Sequence, residues 1–332
     1  MQAALCLEQN QPLSVEEVTP IDPGPGDLIV RITASGVCHS DLSVINGTLP
    51  AGRVVLGHEG TGVVEKVGSD ITDLQVGDRV IGSFIPACGV CWYCLHDQSN
   101  LCEHTYNVMF VPRVRRADGE EMVAMTGLGT FAELMTVQQM SVVKVETDLP
   151  DEQLALIGCG GVGQAVIQGA RIAGAARIIA IDPVALKRDS AVTNGATHVI
   201  DPTQVDPVTA VKELSGGRGA DFAFEVIGTA GTIRQAVDST RPGGTAVMVG
   251  VPKLGTDVSI PAMTVLEEKK IFGCVYGGAS VRRDFPRLIS LIEHGKLDVG
   301  AMVTRTMHLH EVNDAIKAMQ DGEVIRSVLV ND

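Results

Sequence analysis

The sequence predicts an α/β protein in which a doubly wound parallel sheet is joined to a separate β-rich domain. Three observations carry this reading. Residues 1–150 are dense in Gly, Val, Ile and Thr and are broken by frequent turns. From residue 151 onward short apolar runs alternate with helical periods, the pattern of βαβ units whose parallel strands are covered on both faces. At 332 residues the chain is long enough for two cores.

In the first half, 27–33, 60–67 and 78–82 read as short strands bounded by Gly or Pro, giving an irregular, barrel-like domain. In the second half the apolar run Leu154–Ile157 meets glycines and then a helix over 162–173. Strands over 176–182, 197–200, 220–226 and 245–250 alternate with helices over 184–193, 207–214 and 232–239. The tail is mixed, with a helix over 312–319 and a strand over 327–330.

A hydrophobic content of 45% with 20% charged residues argues for a folded, soluble chain. Net charge of −14 disfavours nucleic acid or an anionic membrane as partner. No basic start followed by an apolar stretch appears, nor an apolar run able to span a bilayer. Eight cysteines, half of them clustered, fit a reducing compartment, so a cytoplasmic location is expected.

That cluster, Cys88, Cys91, Cys94 and Cys102, is spaced C-x2-C-x2-C-x7-C. Four thiolates on short loops can wrap one zinc ion at tetrahedral corners, and such a closed site is structural. The lobe, about 86–104, offers little apolar core, so a metal would have to hold it together. Disulfides or reduced spare thiols are the competing reading.

Gly158-Cys159-Gly160-Gly161-Val162-Gly163 fits G-x-G-x-x-G, with Asp182 closing the next strand. Glycines allow a tight turn and close approach to a pyrophosphate, and the following helix offers free N–H groups to it. Asp182 would accept hydrogen bonds from ribose hydroxyls and repel a 2′-phosphate, which favours NAD, and Lys187 is within reach of the ribose. A glycine-rich turn that binds nothing remains the alternative.

Cys38 and His58 lie twenty residues apart in Cys38-His39-Ser40-Asp41 and Gly57-His58-Glu59-Gly60. Both are zinc-ligand types, but spacing alone suits a buried cysteine and a hydrogen-bonded histidine equally well.

Taken together, GVCHSDLSVINGTLP, VLGHEGTGVVEKVG, the four-cysteine lobe, GCGGVGQAVIQGARIAGA and Asp182 resemble the zinc-dependent medium-chain alcohol dehydrogenases over nearly the whole chain. The resemblance implies a GroES-like catalytic domain formed by 1–150 plus a return over 291–332, around a Rossmann-type NAD-binding domain over 151–290. It implies two zinc ions, one structural and one catalytic. Cys38 and His58 match catalytic-zinc ligands, Glu59 the acidic neighbour of that metal, and Ser40 the hydroxyl that starts the proton relay. Arg326 matches an arginine that contacts the pyrophosphate. Small alcohols or aldehydes as substrates, and a homodimer or homotetramer, are likewise implied.

The match breaks in two places. Relatives often carry a histidine three residues beyond the Ser40 position, where this chain has Ser43, and His39 stands where some carry a pyrophosphate-binding arginine. The larger break is at Cys159. The family has one GCG-like segment carrying the third zinc cysteine and, after a helix and a strand, a second glycine motif for the cofactor. Here the two are fused, with roughly twenty residues absent, about one helix plus one strand. Either Leu154–Ile157 serves as the first strand of the cofactor sheet, or Cys159 serves the zinc and that sheet lacks its first strand. The first is favoured, because a central parallel strand buries apolar surface on both faces.

The function expected is reversible, zinc-dependent oxidation of an alcohol with hydride transfer to NAD. The alternatives are a thiol-adduct-dependent formaldehyde dehydrogenase and a zinc-stabilised NAD-binding protein with impaired catalysis.

Overall fold

The computed structural model describes residues 1–159 and 161–331. The chain clusters into two compact units: Met1–Gly161 with Gly278–Asp332, and Val162–Gly277.

Unit 1 begins with strands β1 (Gln2–Cys6), β2 (Ser14–Pro20) and β3 (Asp27–Gly36), then helix α1 (His39–Ile45). Strands β4 (Val54–Val55), β5 (Gly60–Val67) and β6 (Arg79–Gly82) precede the short helices α2 (Trp92–Leu95) and α3 (Thr105–Met109). Strands β7 (Pro112–Arg116), β8 (Glu121–Ala124), β9 (Leu134–Gln138) and β10 (Val142–Lys144) lead to helix α4 (Asp151–Cys159).

Unit 2 carries α5 (Val162–Ile172), β11 (Ile179–Ile181), α6 (Ala185–Asn194), β12 (His198–Ile200), α7 (Pro207–Leu214), β13 (Ala220–Glu225), α8 (Ala230–Ser239), β14 (Thr240–Met248), α9 (Ala262–Leu266) and β15 (Lys270–Gly273). The chain then returns to unit 1 with α10 (Val281–Glu293), β16 (Val303–His308), α11 (Val312–Gln320) and β17 (Arg326–Val330).

In unit 1, β1, β2, β7, β8 and β4 close a barrel, and β10-β6-β5-β3-β17-β16 form a sheet in which β3 also pairs with β9. β3 shows why it sits at the centre: Leu28, Val30, Ile32 and Ala34 alternate with half-buried neighbours and are wholly buried. A second core gathers Leu56, Phe131, Val312, Ile316 and Leu329, so the tail packs onto the N-terminal half.

α4 overturns the favoured reading of Leu154–Ile157 as a strand. Acidic Asp151 and Glu152 stand at its positive end, and Gln, Leu and Ala are good helix formers. Arg79 clamps the approach, donating to the carbonyls of Thr147 (2.5 Å) and Leu149 (2.9 Å) and to the Asp151 carboxylate. Leu154, Ala155 and Leu156 are buried, with α4 lying against β3, β5 and β6 of unit 1. A short apolar run fits strand or helix, and here the packing surface decided.

Unit 2 is α/β with parallel strands, but they fall into two sheets, β11-β12 and β13-β14-β15. A doubly wound sheet has the order 3-2-1-4-5-6, with the first strand in the middle. With β11 and β12 as second and third and β13 to β15 as fourth to sixth, no described strand fills the first position. The glycine motif is accordingly entered from a helix, where the sequence reading expected a strand.

Candidate metal and cofactor sites

Cys38 caps α1 in an extended conformation (φ −120°, ψ 154°) directly after β3. Three residues on, Asp41 is completely buried and accepts the Cys38 N–H at 2.9 Å and the Gly57 N–H at 3.2 Å. Gly57 has φ +88°, and a Cβ there would lie 2.5 Å from the Phe131 amide nitrogen, so only glycine lets the chain turn at this point. That turn delivers His58, whose Nδ1 lies 3.2 Å from Asp41 Oδ1. With the Asp41 carboxylate accepting the Nδ1 proton, a metal would bind at Nε2 in place of the proton there. Burial disfavours the imidazolium, but the Asp41 charge and hydrogen bond, with Cys38, outweigh it and hold His58 well above its ordinary pKa.

Glu59 follows, completely buried, with Oε1 3.8 Å from His58 Nε2. The ligand atoms of Cys38, His58 and Glu59 all lie within 4.8 Å of one another. Glu59 is also gripped by Arg326, whose Nη2 donates to both carboxylate oxygens at 2.6 and 2.5 Å while Nη1 donates to the Val37 carbonyl at 2.6 Å. Arg326, expected at a pyrophosphate, is thus buried inside unit 1 against the metal cluster. Ser40 Oγ is 3.7 Å from Cys38 Sγ, and His39 is exposed at the first position of α1. Cys159 ends α4, which belongs to unit 1; its side chain lies outside the described residues.

The second metal cluster is Cys88, Cys91, Cys94 and Cys102, with sulfurs within 4.8 Å of one another. Cys88 and Cys94 sulfurs are 4.0 Å apart and Cys91 and Cys102 sulfurs 3.9 Å, close to the ~3.8 Å edge of a tetrahedron with ~2.3 Å zinc–sulfur bonds. Backbone N–H groups already point at the sulfurs: Val90 and Cys91 donate to Cys88 (3.4 and 3.3 Å), Cys88 and His104 to Cys102 (both 3.4 Å). Such a backbone hydrogen bond lowers Cys91 to about 6, whereas burial pushes Cys94 up to about 12. Ionising all four together calls for a cation between them, which a zinc ion provides.

In unit 2, Asp182 follows β11 and its Oδ1 accepts the Val184 N–H at 2.8 Å. Gly161 precedes α5 and Val162 and Gly163 are its first two residues, Gly158 lies within α4, and Gly160 is outside the described residues. A Cβ on Gly163 would sit 3.7 Å from Val226 Cγ2, just past β13. Buried Gln164 donates to the carbonyl of Lys187 on α6 at 3.1 Å and accepts from Asn194 at 2.9 Å, and Gln168 donates to Asn194 at 2.9 Å. The start of α5 and Asp182, both expected at a nucleotide, lie together in unit 2.

Asp41 is the residue that sequence reasoning missed. Its only signal was a carboxylate three residues after Cys38, a position that can turn back onto the helix N-terminus.

Residues 24–147 match the alcohol dehydrogenase GroES-like domain, and residues 161–294 match the zinc-binding dehydrogenase domain. The putative alcohol dehydrogenase D of Mycobacterium tuberculosis is 37% identical over 366 residues, with 99% of each chain covered. An S-(hydroxymethyl)glutathione dehydrogenase of Synechocystis is 33% identical over 363 residues, covering 98% of each. Among solved structures, the benzyl alcohol dehydrogenase of Acinetobacter calcoaceticus matches with a TM-score of 0.91 at 28% identity, over 100% of this chain and 99% of that one. A GroES-like half, a cofactor-type α/β half and two metal clusters define a zinc dehydrogenase. The chain belongs to the zinc-dependent medium-chain alcohol dehydrogenase family. The first alignment spans 366 residues against a chain of 332, so at least 34 positions of that relative have no counterpart here.

Proposed function

We propose that this chain oxidises a small alcohol to the aldehyde or ketone, reversibly, with hydride passing to NAD. The observation that carries the reading is His58 oriented through Nδ1 by buried Asp41, with Nε2 3.8 Å from Glu59 and the Cys38 thiol in the same cluster. Cys38 and His58, with Cys159 at the end of α4 as the third ligand, would hold a zinc ion, whose Lewis acidity would lower the pKa of a bound alcohol.

The remaining roles belong to the chain's own groups. Asp41 fixes the His58 tautomer and turns the Cys38 backbone toward the cluster. Glu59 keeps a carboxylate beside the site while Arg326 offsets its charge. Ser40, beside Cys38, receives the alcohol proton and hands it outward; with Ser43 in place of a histidine, the next carrier is water or a cofactor hydroxyl. His39, exposed at the start of α1, is assigned to a cofactor phosphate. Asp182 accepts the ribose hydroxyls and disfavours a 2′-phosphate, and Gly161–Gly163, Gly158, Gly160, Val162 and Lys187 are assigned to the same nucleotide. Cys88, Cys91, Cys94 and Cys102 would hold the structural zinc. We place the protein in the cytoplasm as a homodimer or homotetramer; among the described residues no helix is long and apolar enough to cross a membrane.

Zinc per chain after dialysis, measured beside alcohol-dependent NADH absorbance, tests this. About two ions with NADH formation supports it; about one ion without turnover overturns it. The 33% identity to the S-(hydroxymethyl)glutathione dehydrogenase favours a second reading, a thiol-adduct formaldehyde dehydrogenase. That reading requires formaldehyde oxidation to depend on added thiol.

A further inference from the structure

We propose that the open edges of β11 and β13 form a strand-acceptor site whose ligand is an extended peptide, apolar on both faces and running parallel to both strands. Each edge is unpaired among the described residues: β11 pairs only with β12, and β13 only with β14 on its way to β15. The two half-sheets together show a doubly wound order with the first position vacant.

α5 marks where that position lies. A Cβ on Gly163 in its first turn would meet Val226, beyond the end of β13, at 3.7 Å, and through Gln164 it holds the Lys187 carbonyl of α6, the helix that follows β11. In a βα unit the strand that feeds a helix ends where the helix begins. A strand ending at α5 would therefore run between β11 and β13.

Ligand chemistry follows from both backbone and side chains. Two rows of unpaired N–H and C=O groups are met together only by another backbone in extended form. Interior parallel strands are apolar on both faces, and the residues flanking the gap are apolar and bare: Phe222 is 63% exposed, Phe224 46% and Ile181 41%. β13 spans six residues, which sets the length of chain the site accepts. The relatives' additional positions show that chains of this kind elsewhere carry more sequence than this one. The inference rests on unit 2 alone and is independent of the zinc chemistry proposed for unit 1.

The test uses the full zinc-loaded protein. The probe is a labelled synthetic peptide of about ten residues, long enough for one strand. It is taken from the positions of the M. tuberculosis relative that directly precede those aligned with Gly161–Gly163. Binding is followed by fluorescence anisotropy and mapped by hydrogen exchange. Saturable binding that slows exchange about tenfold or more in both β11 and β13, and that is lost when proline replaces the peptide's central residue, is the expected result. No binding, protection of only one sheet, or indifference to proline overturns the proposal. Concentration-dependent self-association that protects the same amides without peptide also overturns it, putting a second copy of the chain in the site.

Discussion

Unit 1 and unit 2 are built from the same chain, yet one is closed and the other is not. In unit 1 the central strand β3 has neighbours on either side, and Leu28, Val30 and Ile32 are fully buried. In unit 2 the corresponding central place is open, and Phe222 and Phe224 face water. The shortened segment explains the difference. The stretch before the glycine motif belongs to unit 1 as α4, where Leu154 and Leu156 are buried and the helix lies against β3, β5 and β6.

Among the described residues both metal-type clusters lie in unit 1, so chelation should act on that side of the contrast. Chelating the zinc of the four-cysteine lobe should remove on the order of 10 kcal/mol of ligation from that region. Trp92, stacked on His96 at 4.2 Å within the lobe, should report it as a fluorescence change. An unchanged Trp92 signal on complete zinc removal would show that the lobe stands without metal.

Next in size is repair of unit 2. Inserting a turn, a helix and an apolar strand between Gly160 and Gly161 should stabilise unit 2 by about 5 kcal/mol, the worth of two or three buried aliphatic side chains. Scanning calorimetry of the natural chain should show an early transition for unit 2 that moves up toward that of unit 1 in the insertion variant. If the transition stays where it was, the vacant position is not what weakens this unit.

Leu154→Ala probes the opposite side of the comparison. The side chain is fully buried in unit 1, so truncation should cost about 2–5 kcal/mol there and leave the transition of unit 2 in place. A shift confined to unit 2 would mean that α4 serves the cofactor half after all.

Asp41→Asn should cost less, about 10- to 100-fold in catalytic-zinc affinity or kcat/KM, since the amide keeps the shape but loses the charge that orients His58. Zinc in the four-cysteine lobe should be unaffected, and equal loss of both ions would point to misfolding.

Legibility in the sequence followed the range of the interactions. The lobe is local: four thiols within fifteen residues announce themselves, and the structure gathers them. Cys38 and His58 were weak by spacing and became a pair only because β3 and the Gly57 turn converge. Asp41 was invisible as a positioning residue, since its role depends on being buried against Gly57 and His58. Leu154–Ile157 was misread because four apolar residues carry no period, while the evidence for a helix lay in Asp151, Glu152 and the distant Arg79. Arg326 opens the last strand, one residue before the expected start, and its partner, Glu59, is 267 residues away.

The smallest effect separates the units by pH. Asp78 sits at the turn before β6 in unit 1, where burial opposes its charge but Lys144 (2.9 Å) and the Gln75 N–H (3.0 Å) outweigh it, so its pKa is lowered. A carboxyl depressed in the folded state stabilises fully above its unfolded pKa, and that contribution fades as pH falls through the folded value. Lys144→Ala should therefore lower the melting temperature of unit 1 slightly at neutral pH, and the gap to the natural chain should close below the ordinary aspartate range. Lys144 is solvent-exposed, so salt should shrink the gap as well. The unit 2 transition should be the same in both proteins at every pH, because neither Asp78 nor Lys144 belongs to it. A gap that widened on acidification would reverse the sign assigned to Asp78.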